Sequence, residues 1–238
     1  MDLPVAIITG AGRGIGRASA IELARRDYRL VLVSRTASEL EQTAALCGGA
    51  CQIVAADVGL ADAADRVVRQ AMSSFGRVDA LVHCAGVALM RTVERMTPQE
   101  WQAILDSNLS AAFHFCRVLW PIWRKQGGGV AVNVSSYSAR DPFPGLGAYG
   151  AAKAAVNLLG LALAREGREI NVRVHTVAPA ATETAMFRSL FSPEQCPPQE
   201  TLDPAEVARV IAHCITGDLA HTSGEVIYLH KSVKFPAS

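Results

Sequence analysis

Tyr149 and Lys153 stand four positions apart in residues 148–165, an alanine- and leucine-rich stretch that predicts a helix. Residues four apart lie on one face of a helix, so the lysine ammonium is expected close to the phenol. A free phenol titrates near pH ~10, and a fixed cation beside it favours the phenolate. The pair therefore predicts a tyrosine whose pKa is lowered, able to give or take a proton. A Tyr-x-x-x-Lys pair alone also fits an ordinary helix surface.

A glycine-rich turn is the second feature that could serve binding or chemistry. It occupies residues 9–16, between an apolar run typical of a buried strand and a helical pattern. Glycines there let backbone amides approach a pyrophosphate at the positive end of a helix. The Gly-x-x-x-Gly-x-Gly spacing does not fit G-x-G-x-x-G, and tight packing without a ligand is the alternative. The residues predicted to contact a dinucleotide are Gly10, Arg13, Gly14, Ile15 and Gly16.

The end of the second predicted strand bears on which dinucleotide is bound. An acidic residue about 20 positions past the glycine turn grips the ribose 2′-hydroxyl of NAD. Here the strand ends in Ser34-Arg35-Thr36, and no carboxylate occurs before Glu39. Arg35 and Arg13 can instead converge on a 2′-phosphate, which a guanidinium binds through two hydrogen bonds. The pattern predicts NADP, with solvated surface arginines as the alternative.

Strand-length apolar runs alternate with helical patterns along the chain. Strands are predicted at 5–8, 30–33, 52–55, 80–83, 129–134, 172–177 and 225–229, and helices at 15–26, 37–47, 61–75, 98–125 (bent at Pro121), 148–165 and 205–216. Asp203, Pro204 and Glu206 predict a capped start for the last helix. The alternation predicts a single α/β domain over residues 1–238, with a doubly wound, mainly parallel sheet of about seven strands, helices on both faces and a Rossmann-like arrangement. Residues 182–202 are rich in proline and do not fit the alternation of strands and helices. They predict a mobile substrate flap.

Composition excludes several classes of partner. Of 238 residues, 50% are hydrophobic and the net charge is +1, which gives no electrostatic case for nucleic acid or an anionic membrane. The first residues show no charged leader, and no apolar run approaches the ~18 residues of a membrane span. Six scattered cysteines, including Cys47 and Cys51, are interpreted as reduced thiols of a cytoplasmic protein without a metal.

Ser136 stands thirteen residues before Tyr149, and together with Lys153 and the glycine turn it makes the chain resemble the short-chain dehydrogenase/reductase family over nearly its whole length. The two arginines resemble those of the NADP-preferring carbonyl reductases in that family. Through the resemblance, cofactor contacts are also expected from Ser34, Asp57, Val58, Ala85, Gly86, Tyr149, Lys153, Pro179, Thr182 and Thr184.

The resemblance implies hydride transfer between NADP(H) and a carbonyl or alcohol. Tyr149 is expected to donate the proton, and Lys153 to lower its pKa and bind the nicotinamide ribose. Ser136 is expected to hydrogen-bond the carbonyl oxygen, and Asn108 to hold a water beside Lys153. From the residues alone, the neighbouring Ser135 is an equal candidate for the serine role. A catalytically silent dinucleotide sensor or scaffold is the alternative function.

The substrate is expected to be a small carbonyl compound with an apolar body. The side chains expected to line its pocket are Ser138, Arg140, Phe143, Met186, Phe187 and Phe191. Arg140 could meet a substrate carboxylate or phosphate, with pairing to Asp141 or solvent as the alternative. A 3-oxoacyl-thioester reductase and a broad carbonyl reductase are both compatible with this lining. Family members often form dimers or tetramers through two long helices, so the resemblance implies a homo-oligomer, either a dimer or a homotetramer.

Three positions depart from the family pattern. His83 and Cys84 replace two asparagines after the fourth strand, and Ala180 replaces a glycine after the sixth. Residues 230–232 replace a common Asp-Gly-Gly, so C-terminal subunit contacts do not carry over. His83 is expected to be a strand-end histidine whose hydrogen bonds are satisfied, with an effect on local pH behaviour as the alternative.

Overall fold

The computed structural model describes residues 3–231 and places seven strands in them. The strands are β1 (Val5–Thr9), β2 (Arg29–Ser34), β3 (Cys51–Ala55), β4 (Ala80–His83), β5 (Gly129–Val134), β6 (Val172–Pro179) and β7 (Val226–Leu229). The helices of the same part of the chain are α1 (Gly14–Ala24), α2 (Ala37–Cys47), α3 (Ala63–Phe75), α4 (Pro98–Leu105), α5 (Ala111–Gln126), α6 (Gly147–Glu166), the single turn α7 (Ala185–Arg188) and α8 (Pro204–Thr216).

The strands form one sheet in the order β3-β2-β1-β4-β5-β6-β7, and every neighbouring pair is parallel. The chain builds outward from β1 to β3 and then returns to the other side of β1 with β4. The strand order therefore reverses between β1 and β4, the point at which such sheets open a crevice beyond their carboxyl ends. The predicted doubly wound Rossmann-like fold is confirmed.

The central strands are buried on both faces, which explains their continuous apolar sequences. One face packs against α1, α2 and α8, with Ile8 and Leu32 in the interface. The other packs against α3, α5 and α6, where Ile7 meets Phe115 and Leu163. Burying each such side chain stabilises the fold by about 1.5–3 kcal/mol, so the sheet that carries the site is rigid.

The predicted single helix over 98–125 is wrong in its middle. Residues 106–110 form a π-type turn between α4 and α5, and the amide of Ala111 donates to Asp106 O, five residues back. The cause is Asn108, whose Nδ2 donates to Ile104 O at 2.9 Å and to Val87 O at 2.8 Å. The first of these bonds competes with the regular helical bond to Ile104. The second helix, α5, runs through Pro121 to Gln126.

α6 and the turn after it are long and apolar enough, by length and composition alone, to cross a membrane. In the structure this helix packs along β6 and buries Val156, Gly160 and Leu163. Packing against the sheet therefore accounts for the apolar residues on the buried face of this helix.

Candidate active site

A cleft of about 410 Å³ opens at the carboxyl ends of the strands, over the reversal between β1 and β4. It brings together every residue that the sequence predicts for proton transfer or cofactor contact. These lining residues are Gly10, Arg13, Gly14, Ile15, Gly16, Ser34, Arg35, Asp57, Val58, Ala85, Gly86, Asn108, Ser136, Tyr149, Lys153, Pro179, Thr182 and Thr184.

The glycine turn forms one wall of the cleft. Gly10 has a φ of +68°, and a Cβ there would lie 2.8 Å from the amide nitrogen of Ala85. A Cβ on Gly16 would overlap the carbonyl group of Gly10. Arg13 precedes α1 without a side-chain cap on the first amides of the helix. These amides and the bare backbone fit a pyrophosphate group, because nothing in the turn competes for the helix N-terminus.

The opposite end of the cleft presents two cations and one carboxylate. Arg13 and Arg35 are exposed and have no hydrogen-bond or ion-pair partner among residues 3–231. Their guanidinium groups therefore fit a 2′-phosphate. Glu39 also lies here, with Oε2 at 2.8 Å from the point that a Cβ of Gly12 would occupy. Glu39 was not predicted as a cofactor contact, because it follows the end of β2 by several residues. It lies in the first turn of α2, which is a favourable place for a carboxylate.

Ser136, Tyr149 and Lys153 meet in the middle of the cleft. The Ser136 hydroxyl lies within hydrogen-bonding reach of the Tyr149 hydroxyl. Lys153 is buried, donates from Nζ to Val134 O at 2.8 Å, and places that nitrogen 5.6 Å from the centroid of the Tyr149 ring. A serine hydroxyl, a phenol and an ammonium thus share one small volume.

The predicted lowering of the tyrosine pKa is wrong for this structure. Loss of hydration raises the pKa of Tyr149 to about 12, and the hydrogen bond from Ser136 opposes that rise only in part. Burial also lowers the pKa of Lys153 to about 8. Desolvation is the largest effect on both groups and outweighs the expected influence of the Lys153 charge on the phenol. At neutral pH the phenol is protonated and the lysine remains mostly charged.

The two adjacent serines point to different places. Ser135 is buried, and its Oγ donates to Lys153 O at 3.2 Å, which fixes β5 against α6. Ser136 faces the cleft and Tyr149. Geometry therefore separates two candidates that the sequence left equal.

Asn108 lies in the π-type turn and is fully buried. Both Nδ2 hydrogens are used in the bonds to Ile104 and Val87, whereas Oδ1 accepts no hydrogen bond from the described residues. Oδ1 and Lys153 Nζ both lie against the point that a Cβ of Gly86 would occupy. The side chain thus presents a free acceptor beside Lys153, which fits a bound water.

His83 is a buried strand-end histidine, and only one of its two ring nitrogens has a hydrogen-bond partner among the described residues, so the expected satisfied histidine is found in part. Thr9 Oγ1 accepts from the amides of Cys84 and Ala85, both at 3.1 Å, so its own proton is left for His83 Nδ1, also at 3.1 Å. Burial and the charge of Lys153 lower the pKa of His83 to about 3. The imidazole is therefore neutral, and its Nε2 points toward the backbone of residues 107–108 without a normal hydrogen bond.

The other two departures have local consequences. Ala180 does not have a positive φ, so no glycine is needed there, and its amide donates to Leu229 O at 2.8 Å. Lys231 lies 3.7 Å from a carboxylate oxygen of Glu206. Ser232 lies outside the described residues.

The flap, residues 182–202, is closed at its base. Leu202 donates to Ala181 O at 2.8 Å, and Glu183 donates to Leu202 O at 2.9 Å. Thr184 reaches back to the glycine turn, with Cγ2 at 3.1 Å from the Cβ position of Gly14. The flap is therefore anchored over the proposed pyrophosphate site.

Aromatic side chains surround the mouth of the cleft. Phe191 packs edge-to-face on Phe143 at 5.1 Å and stacks on Phe187 at 5.2 Å between ring centroids. The predicted apolar lining is present, since Ser138, Phe143, Met186, Phe187 and Phe191 all face the cleft. The expected place of Arg140 in the pocket is wrong, because its guanidinium packs on the Tyr228 ring instead, 5.7 Å from the ring centroid.

Comparison with known proteins identifies similar chains. Residues 4–195 match the family model described as short chain dehydrogenase. The chain is 36% identical over 189 residues to the short-chain reductase protein NovJ of Streptomyces niveus, covering 78% of this chain and 72% of that protein. It is 30% identical over 232 residues to the 3-oxoacyl-(acyl-carrier-protein) reductase FabG of Vibrio cholerae, covering 95% of each. The solved 3-ketoacyl-(acyl-carrier-protein) reductase of Brucella melitensis, complexed with NADH, superposes with a TM-score of 0.90 at 30% identity, covering 96% of this chain and 97% of that one.

Proposed function

The chain belongs to the short-chain dehydrogenase/reductase family and is an oxidoreductase, and on that premise we propose that it reduces a carbonyl compound with NADPH, or oxidises the alcohol with NADP. The observation that carries the proposal is the contact of Ser136 and Tyr149 beside buried Lys153, in a cleft whose walls fit a dinucleotide.

The bound nicotinamide supplies or accepts the hydride. Tyr149, protonated at neutral pH, donates its hydroxyl proton to the carbonyl oxygen as charge develops there. Ser136, already directed at the phenol, donates a second hydrogen bond to the same oxygen. Lys153 holds a positive charge near the ring and stabilises the phenolate left behind. Asn108 Oδ1 holds a water beside Lys153, through which a proton returns.

NADP is favoured over NAD by Arg13 and Arg35, since no described residue neutralises either guanidinium. Glu39 is the opposing feature, because a carboxylate repels a 2′-phosphate and accepts a hydrogen bond from a 2′-hydroxyl. Two cations against one anion leave a net attraction for the phosphate.

The substrate we propose is a ketone or aldehyde with an apolar body, held under the flap by Phe143, Phe187 and Phe191. Two similar proteins are an acetoacetyl-CoA reductase and a 3-oxoacyl-(acyl-carrier-protein) reductase, which makes 3-oxoacyl thioesters the first class to assay. We also propose a cytoplasmic homo-oligomer, a dimer or tetramer, and six free thiols are consistent with a reducing compartment.

Replacing Tyr149 with Phe tests the proton-donor role. Tyr149→Phe removes the hydroxyl and keeps the ring, so we expect NADPH binding to persist while carbonyl reduction falls by about 10²- to 10⁴-fold. NADPH fluorescence measures binding, and loss of nicotinamide absorbance with a panel of carbonyl compounds measures turnover. Tyr28→Phe, which removes a phenol at the start of β2 and away from the cleft, is the matched control.

The same assay separates the sensor or scaffold alternative. If the wild type binds NADPH but turns over no member of the panel, the catalytic proposal is rejected in favour of the silent binding protein. If Tyr149→Phe turns over as fast as the wild type, another group donates the proton.

A further inference from the structure

Two cysteine thiols meet at the turn between α2 and β3, far from the cleft. Cys47 is the last residue of α2 and Cys51 the first of β3, and their side chains lie within hydrogen-bonding reach of each other. Both are half-buried and pack against the apolar cluster on the same face of the sheet. Among residues 3–231, no group of three or more His, Cys, Asp or Glu side chains is placed to hold a metal ion. Within the described residues, the pair is therefore a dithiol that is not part of a metal-binding group.

The turn that joins the two cysteines is compact and open to solvent. Gly48 has a φ of +64°, and no atom lies within 4 Å of the point that its Cβ would occupy. Ala50 O accepts from the amide of Leu30 at 3.0 Å, which holds the start of β3 on the sheet. Two successive glycines leave the backbone of the turn free to adjust, which a disulfide between its two ends would require.

The two thiols are chemically unequal. The hydrogen bond with Cys47 lowers the pKa of Cys51, and it raises the pKa of Cys47 well above its ordinary value. Burial raises the pKa of Cys84 and Cys116 to about 12 and of Cys214 to about 11. The thiolate is the reactive form of cysteine, so Cys51 is favoured as a nucleophile over Cys84, Cys116 and Cys214, whose pKa values are raised.

We propose that Cys47 and Cys51 form a redox modification site, in which a peroxide oxidises Cys51 and Cys47 closes a disulfide. The Cys51 thiolate attacks one peroxide oxygen, the O–O bond breaks, and hydroxide leaves and takes up a proton to give water and a sulfenic acid. The Cys47 sulfur then attacks the Cys51 sulfur and displaces hydroxide, which leaves as water with the Cys47 proton. Two thiols are thereby oxidised by two electrons, and one peroxide is reduced to two waters.

The location limits what the disulfide changes. β3 is an edge strand, and Cys51 pairs with Leu30 at its amino-terminal end, whereas the cleft lies at the carboxyl ends of the strands. Cross-linking α2 to β3 there leaves the proposed NADP site in place. The modification is therefore independent of turnover and can be measured without a substrate.

Peroxide treatment of the purified full chain, followed by peptide mass spectrometry, tests the proposal. In the wild type we expect an intramolecular Cys47–Cys51 disulfide that dithiothreitol reverses. In Cys47→Ser we expect the sulfenic acid of Cys51 to persist and to be trapped by dimedone. In Cys51→Ser we expect neither product, and Cys196→Ser, which removes a half-buried thiol of the flap, should react like the wild type.

Rates give a second readout that needs no variant. We expect the Cys47–Cys51 peptide of the wild type to be oxidised at least about tenfold faster than the peptides of Cys84, Cys116 and Cys214. The proposal is overturned if the pair stays reduced while a buried cysteine reacts, if Cys51 forms disulfides only between chains, or if Cys47→Ser yields no sulfenic acid at Cys51.

Phenylarsine oxide, a probe for paired thiols, should bind the reduced wild type with one arsenic per chain. Failure to bind also overturns the proposal.

Discussion

At the scale of single residues, the proposed preference for NADP rests on three charged side chains at one end of the cleft. Arg13 and Arg35 carry positive charge without partners in the described chain, and Glu39 places a carboxylate against the glycine turn. A phosphate on the ribose 2′ position gains from the arginines and loses from the glutamate, whereas a free hydroxyl gains only from the glutamate. The two dinucleotides thus depend on different residues of this site.

Separate substitutions should move NADPH and NADH affinity independently. We expect Arg35→Ala to weaken NADPH by roughly tenfold or more, because a charge-assisted hydrogen bond contributes about 1.5–3 kcal/mol, and to leave NADH nearly unchanged. We expect Glu39→Gln to strengthen NADPH slightly and to weaken NADH. Dissociation constants from nicotinamide fluorescence at fixed salt measure both effects.

Arg25→Ala is the control, since this arginine is exposed at the end of α1 and its nearest carboxylate is 3.9 Å away. A wild type that binds NADH more tightly than NADPH contradicts the assignment of the two arginines. Equal losses for both dinucleotides in Arg35→Ala would show a general effect on the cleft instead.

Some properties of single residues could be predicted from the sequence and others could not. The family resemblance predicted most of the residues that line the cleft, and their positions after strands agree with it, because parallel strands direct their carboxyl ends to one edge. The choice between Ser135 and Ser136 could not be predicted from the sequence, because it depends on which hydroxyl meets α6 and which meets Tyr149. The direction of the Tyr149 pKa shift could not be predicted either, because desolvation is set by neighbours that only the fold brings together.

At the scale of elements, the start of a helix could be predicted from the sequence where its capping residues are close together in the chain. The sequence predicted that Asp203 caps α8, and the structure confirms a full capping box with Glu206 and with Pro204 in the first turn. Thr97 and Glu100 form the same capping box at α4, with Pro98 at the corresponding position. This sequence pattern also marks the start of a helix. The π-type turn at 106–110 had no such signal, since it depends on a tertiary bond from Asn108 to Val87 O.

Removing one cap should have a measurable cost. Asp203→Ala removes the side chain that accepts from the amide of Ala205 at 2.8 Å. We expect it to lower the free energy of unfolding by about 1 kcal/mol, within a range of 0.5–2 kcal/mol. Urea denaturation followed by circular dichroism measures the change. Asp203→Asn, which keeps an acceptor oxygen, should recover most of the loss, and an unchanged midpoint in Asp203→Ala would show that the cap contributes nothing.

At the scale of the whole molecule, the outer surface of the long helices is unusually apolar. Leu158 on α6 is 69% exposed and Phe113 on α5 is 46% exposed, although both helices bury their other faces against the sheet. Large apolar side chains on two neighbouring helices favour burial against a second copy of the same surface, since a two-fold interface uses each residue twice. This surface supports the proposed homo-oligomer.

A charge at the centre of that surface should dissociate the oligomer. Leu158→Asp replaces a side chain worth about 1.5–3 kcal/mol on burial with a carboxylate that a two-fold axis brings near its own copy. We expect the molar mass from light scattering to fall by at least half at micromolar concentration, with the circular dichroism spectrum unchanged. Leu60→Asp is the matched control, because Leu60 is also exposed, at 57%, but lies before α3 and away from α5 and α6. A wild type that is already a monomer, or a Leu158→Asp variant with the wild-type mass, would show that these helices do not form the interface.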